Sequence, residues 1–227
     1  MDRSSASAYV YAKASGMLAK SFIGPRSAKL FEVKSLSELW SLLFKTEVPL
    51  IPETLLAKEI EEKAQKTFIS DYTHLVDCYA KPYLVLVSLL RSYEYNNMKD
   101  IASALCEGQE TIPNIVDIGH FSRLNYKQWP KIDKITKETP FEWLNTVPTR
   151  ENQHEQDRIL DAQYIKELWD AVNKLPLIER KSVENFIAED IVMRNLIWAI
   201  RLKVYYNMKP EEIIPRLVSE GDEATKN

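Results

Sequence analysis

YLVLVSLLRSYEYNNMKDIASALCEG, residues 83–108, decides the fold. Pro82 stands immediately before it, where a fixed φ suits the opening of a helix rather than its interior. Gly108 closes it, as the residue that most easily takes the left-handed conformation at a helix end. The uninterrupted stretch between them reads as one long helix. The same pattern repeats outward in both directions. Residues 7–22 place Val10, Ala14, Met17 and Leu18 on one helical face before Gly24-Pro25 ends the run. Ser35-Leu-Ser-Glu38 spells a capping box, with Leu36, Leu39, Trp40 and Leu43 at helical spacing behind it. From Pro52 onward Leu55, Leu56, Ile60, Phe68, Tyr72, Leu75, Val76 and Tyr79 extend a further stripe. Residues 151–175 carry Leu160, Tyr164, Leu168, Ala171, Val172 and Leu175 on one face, and Pro176 breaks them from a long run over 178–206. Pro210-Glu-Glu opens a last helix, and the polar tail from Gly221 reads as frayed. The predicted class is all-α.

Only 109–140 lacks this periodicity. It contains Pro113, Gly119, Pro130 and Pro140, together with Lys127, Lys131, Lys134 and Lys137. It reads as a long surface connection with room for one short extended pair. Trp129 and Trp143 flank its basic part, a pattern that could meet nucleic acid or anionic lipid. A solvated loop with its aromatics tacked to the core is the preferred reading.

Composition excludes several function classes. Five Gly among 227 residues leave little room for phosphate-cradling loops or hairpins. A formal charge of -3 disfavours a nucleic-acid binder, which needs a basic face. Cys78 and Cys106 form neither a zinc motif nor a disulfide framework and read as reduced thiols. The N-terminus lacks the apolar middle of a signal peptide, and the longest apolar run, 83–90, is far short of the ~20 residues a spanning helix needs. The expectation is a soluble, intracellular chain that meets a membrane only through partners.

No catalytic constellation assembles. Glu151-Asn-Gln-His154 matches the Glu-x-x-His of di-iron bundles, but no second copy accompanies it. His74 and Asp77 form an isolated i,i+3 pair. There is no Gly-x-Ser-x-Gly elbow, Walker loop or His-Glu-x-x-His. The expectation is a non-enzyme without cofactor or metal. A metal-dependent helical enzyme centred on His154 is the contrary reading.

Two helices share a pattern. Superposing Asn97 on Asn195 brings Met98 onto Leu196 and Ala102 onto Ile200. Acid, then Asn-apolar, then a basic helical continuation resembles the recurring D-x-x-N-L-k-x-x-l-R signature of the C subunits of archaeal and bacterial V-type ATPases. That family includes the d subunit of the eukaryotic vacuolar ATPase. Glu94, Asn97, Met98 and Lys99 match the first copy, and Asn195, Leu196 and Arg201 the second, where Val192 replaces the acid. Ala8-Tyr9-Val-Tyr11-Ala12 with Met17-Leu18 resembles the family's opening, although Lys13 and Ser15 stand where two arginines are usual. Leu36-Ser-Glu-Leu39 with Leu42-Leu43-Phe-Lys-Thr46, and Tyr205-Tyr-Asn-Met-Lys-Pro-Glu-Glu-Ile213, resemble two further segments.

The resemblance implies a multi-lobed helical funnel or wedge. One lobe would lie at 1–110, an irregular connection at 111–140, and a second lobe at 141–227. The family's third lobe would be absent, natively or by truncation. It also implies a non-catalytic connector coupling the central-stalk subunits to the proteolipid ring in ion transport, peripheral on the cytoplasmic face. Tyr9, Tyr11, Glu94, Asn97, Met98, Asn195, Leu196 and Arg201 would then be structural positions. The two Asn in particular are expected to tie helices or loops together within their lobes. A helical scaffold or adaptor for another partner is the alternative.

Overall fold

A computed structural model describes residues 2–217. The secondary structure of the described residues is helical, without strands. Helices run as α1 (Arg3–Lys20), α2 (Ala28–Glu32), α3 (Leu36–Phe44), α4 (Glu53–Asp77), α5 (Leu84–Cys106), α6 (Ile132–Ile135), α7 (Gln153–Asn173), α8 (Leu177–Tyr206) and α9 (Pro210–Ile213). Short 3₁₀ turns join them. The chain divides into two compact units, Met1–Pro82 and Tyr83–Asn227. These boundaries differ from those of the expected lobes. The frayed tail expected from Gly221 lies outside the described residues.

The first unit is held by a small core. α1 starts earlier than the apolar stripe suggests, because the Asp2 carboxylate accepts from the Ser4 and Ser5 N–H groups at 3.0 and 3.1 Å. That satisfies two of the four orphan donors of the first turn. Val10, Ala14 and Met17 are half-buried on one face, whereas Leu18 is exposed. The Ser35 hydroxyl caps α3 by accepting from the Glu38 N–H at 3.2 Å. Glu38 reaches back to the Lys34 N–H at 2.9 Å, one residue beyond the expected capping-box partner. Trp40 of α3 packs on Leu56 and Ile60 of α4, with Leu36, Leu39, Leu43, Phe44 and Val48 around them. Lys63 lies 4.1 Å from the centre of the Trp40 ring, a cation–π contact that covers the cluster's edge.

The second unit has the larger core. α5 pairs along its length with α7, and α8 closes on α7. Met98, Ile101 and Ala102 of α5 meet Leu160, Ile165, Leu168 and Val172 of α7, with Ile187 and Ile191 of α8. α5 ends in a Schellman motif: Gln109 N–H donates to the Ala104 carbonyl at 2.9 Å and Gly108 N–H to Leu105 at 3.1 Å. Gly108 adopts φ 71° to make that turn. Asn207 ends α8 in the same left-handed conformation. The last α-helix among the described residues is a single turn, Pro210–Ile213, opened by Pro210 and by Glu212 accepting from the Lys209 N–H at 2.8 Å.

The segment 109–140 corrects the sequence reading. It forms no extended pair, and it is not a loop laid over the surface. Ile118, Phe121, Leu124, Ile132 and Ile135 are buried, and Leu124, Ile132 and Ile135 belong to the main core. Lys127, Lys131, Lys134 and Lys137 are exposed between them. The apolar residues occupy irregular intervals because 3₁₀ turns and the one-turn α6 set the spacing, so neither a 3.6 nor a 2.0 period registers. Trp129 is tied down by its indole N–H donating to the Glu110 carbonyl at 3.1 Å, and Trp143 by donating to Gln163 at 2.8 Å.

Candidate functional site

Glu94 of α5 has no solvent exposure. A buried carboxylate is tolerated only when paired and hydrogen-bonded. Glu94 has both kinds of partner, all from the irregular segment. Its Oε2 accepts from Arg123 Nε at 2.7 Å. Its Oε1 accepts from the Arg123 backbone N–H, from Leu124 N–H at 3.3 Å and from Ser122 Oγ at 3.2 Å. Arg123 also donates through Nη1 to Glu167 Oε2 of α7 at 3.0 Å. Glu167 receives Tyr95 Oη at 2.9 Å and Arg91 Nη1 at 3.0 Å, both from α5. Two carboxylates and two guanidiniums thus form a closed, formally neutral cluster joining α5, the irregular segment and α7.

Electrostatics follow from that closure. Burial opposes ionisation of Glu167, but Arg123 and the hydrogen bonds from Tyr95 and Arg91 outweigh it and hold its carboxyl below the ordinary range. Burial works against the Arg123 charge, and Glu94 and Glu167 overcome it, so the guanidinium is held more firmly protonated than usual. Tyr95 is pushed well up, first by burial and then by the Glu167 charge. Arg123 also lies 5.3 Å from the Phe141 ring centre, which covers the face of the guanidinium.

One turn along α5, Asn97 is also fully buried. Its Nδ2 donates to the Val116 carbonyl at 2.8 Å and to Tyr126 Oη at 2.9 Å, and its Oδ1 accepts from Val116 N–H at 2.9 Å. The amide therefore pairs with a passing backbone as a neighbouring strand would. Glu94 and Asn97, three residues apart on one face, fasten 116–126 to α5 at successive points. Met98 beside them is fully buried in the core.

The other sequence-derived positions lie elsewhere. Tyr9 and Tyr11 of α1 are exposed, as are Leu196 and Arg201 of α8, while Asn195 is half-buried. The structure brings Glu94, Asn97 and Met98 together in one buried constellation. The second copy of the pattern lies on α8, with Asn195 half-buried and Leu196 and Arg201 exposed. Sequence reading missed Arg123, Glu167 and Tyr126. Glu167 left a signal: it falls seven residues after Leu160 and three after Tyr164, a charge within an apolar stripe. Glu94 left the same signal, four residues before Met98 and seven before Ile101. Arg123 left none, since its segment has no period.

The cluster is suited to clamping rather than to chemistry. Both oxygens of Glu94 and of Glu167 accept hydrogen bonds from the protein itself. Glu151 lies in the turn ahead of α7 while His154 is in its first turn, both exposed, so the Glu-x-x-His pair does not share a helix face. Among the described residues no three His, Cys, Asp or Glu converge as a metal site. Neither Cys78 nor Cys106 is in a disulfide, and the Cys78 thiol donates to the His74 carbonyl at 3.3 Å. None of the described helices is long and apolar enough to cross a membrane.

A family model described as ATP synthase (C/AC39) subunit matches residues 6–226, across both compact units. The chain belongs to the ATP synthase (C/AC39) subunit family. This is the family of the V-type ATPase C and d subunits that the sequence patterns resemble. An uncharacterized protein of Treponema pallidum (strain Nichols) is 27% identical over 221 residues, 97% of this chain. The chain spans 65% of that relative's length. No solved structure matches it.

Proposed function

We propose that this member of the C/AC39 family is a non-catalytic connector of a rotary V-type ATPase or ATP synthase. It would join the central-stalk subunits to the membrane proteolipid ring and pass torque between nucleotide chemistry and ion movement. The observation that carries the reading is the family match over residues 6–226. In this proposal the chain is peripheral on the cytoplasmic face, has no cofactor, and meets the membrane through its partners. The funnel of repeated lobes belongs to the proposal as well. Its lobes at 1–110 and 141–227, about the connection at 111–140, are divisions by internal pattern, distinct from the division by packing at Pro82.

The buried clamp supports a mechanical role. A part that transmits torque has to resist shear between its helices. Glu94, Arg123 and Glu167 cross-link α5 to α7 through a third segment, so sliding one element would strand a charge in a poorly solvated place. Capture assays with the separated central-stalk subunits, and with detergent-solubilised proteolipid ring, test the assignment. The expected result is retention of both. Retention of neither would refute the connector role.

A further inference from the structure

Helix α8 has two apolar faces, and the core uses one. Ile187, Ile191 and Leu202 are its buried residues. Phe186, Met193, Leu196, Ile197, Ile200 and Val204 are between 48% and 66% exposed. At about 100° per residue these six fall within an arc of roughly 100° on the side opposite the buried three. They extend over about 27 Å, at the rise of an α-helix. A stripe of that width and period is what a partner helix reads through i, i+3, i+4 and i+7 contacts.

Beyond Asp190 the charges bordering the stripe are of one sign, whereas Glu189 lies within its first part and Asp190 at its edge. Arg194 and Arg201 line one edge and Lys203 the other. After Asp190, to which Arg194 is bonded at 2.7 Å, the next acid is Glu211. We propose that the outer face of α8, over residues 193–204, docks an amphipathic helix of another protein whose apolar stripe is bordered by Asp and Glu. The acids of such a helix meet Arg201 and Lys203 while its apolar residues cover Met193, Ile197 and Ile200. A second copy of this chain fits poorly, because it brings the same cations without acids between 191 and 210 to answer them. An anionic bilayer fits poorly too, because a flat surface laid along the stripe reaches exposed Glu189, within the apolar arc between Phe186 and Met193, whereas a helix docked over 193–204 stops short of it. This inference stands on α8 alone and not on the connector reading.

The test uses two labelled synthetic helices with the same leucine stripe, one bordered by Glu and one by Lys, titrated against this chain in fluorescence anisotropy. The Glu-bordered helix is expected to bind at least about ten-fold more tightly, an electrostatic difference of ~1.4 kcal/mol. Ile197→Asp with Ile200→Asp should abolish that binding without changing helicity by circular dichroism, since both residues are exposed. Arg201→Glu with Lys203→Glu should reverse the preference to the Lys-bordered helix. Equal binding of the two helices, binding of neither, or an unreversed preference would overturn the proposal. So would a dimer, or flotation on phosphatidylglycerol vesicles, that Ile197→Asp abolishes, because either would name a different occupant.

Discussion

A carboxylate inside an apolar stripe is stable only while its partners stay in place, and Glu94 depends on Arg123 more than on any other residue. Arg123→Ala should lower unfolding free energy by roughly 3–5 kcal/mol, because it leaves a fully buried charge unpaired. Urea denaturation measures it, and a loss under about 1 kcal/mol would mean the carboxylate has other support. Glu167 gives the cluster a pH signature. Its native pKa lies below the ordinary 4.5, so its contribution is complete above that value and is lost as pH falls through the depressed native one. Wild type should therefore lose stability on acidification beyond what Glu167→Gln loses, and the two curves should converge at low pH. Asp157, which burial pushes up, slopes the opposite way in both proteins, so the difference between them isolates Glu167. Parallel curves would count against the clamp. Asn97 and Asn195, alike in sequence, should part company. Asn97→Ala strands the Val116 N–H and C=O and should cost about 1–3 kcal/mol, whereas half-buried Asn195 should cost less.

Among the elements, the helix ends make the sharpest contrast. Gly108 is held at φ 71° by the Schellman turn that ends α5, so Gly108→Ala should destabilise by ~1 kcal/mol. Gly16 lies inside α1 with open space where a Cβ would go, so Gly16→Ala should stabilise by about 0.5–1 kcal/mol. Thermal melts of the two variants should move in opposite directions, and a shared direction would contradict the assigned conformations. The long helices are legible in the sequence because Pro82, Gly108, Pro176 and Asn207 punctuate apolar stripes of period 3.6. The segment 109–140 is not legible as core. Its buried Ile118, Leu124, Ile132 and Ile135 are spaced by turns, and its lysines imitate a solvated loop. The clamp is half legible: Glu94 and Asn97 stand out as polar residues in α5, but their partners are 19 to 30 residues away on that aperiodic segment. The outward face of α8 cannot be told from core in the sequence, because a stripe reports that a face is apolar and not what covers it.

At the scale of the molecule, two helical units under one family match are proposed to serve as a mechanical part of a rotary machine. The role would depend on stiffness within the second unit, where α5, the irregular segment and α7 are cross-linked, and on exposed faces such as the outer side of α8 that can receive partners. A connector contributes no chemistry, so its removal should leave nucleotide hydrolysis by the detached catalytic part intact while breaking its link to ion movement. ATP-driven ion uptake by membrane vesicles from cells depleted of this protein tests that most directly. Uptake should fall to background and return with the wild-type protein. Undiminished uptake by fully depleted vesicles would contradict the account.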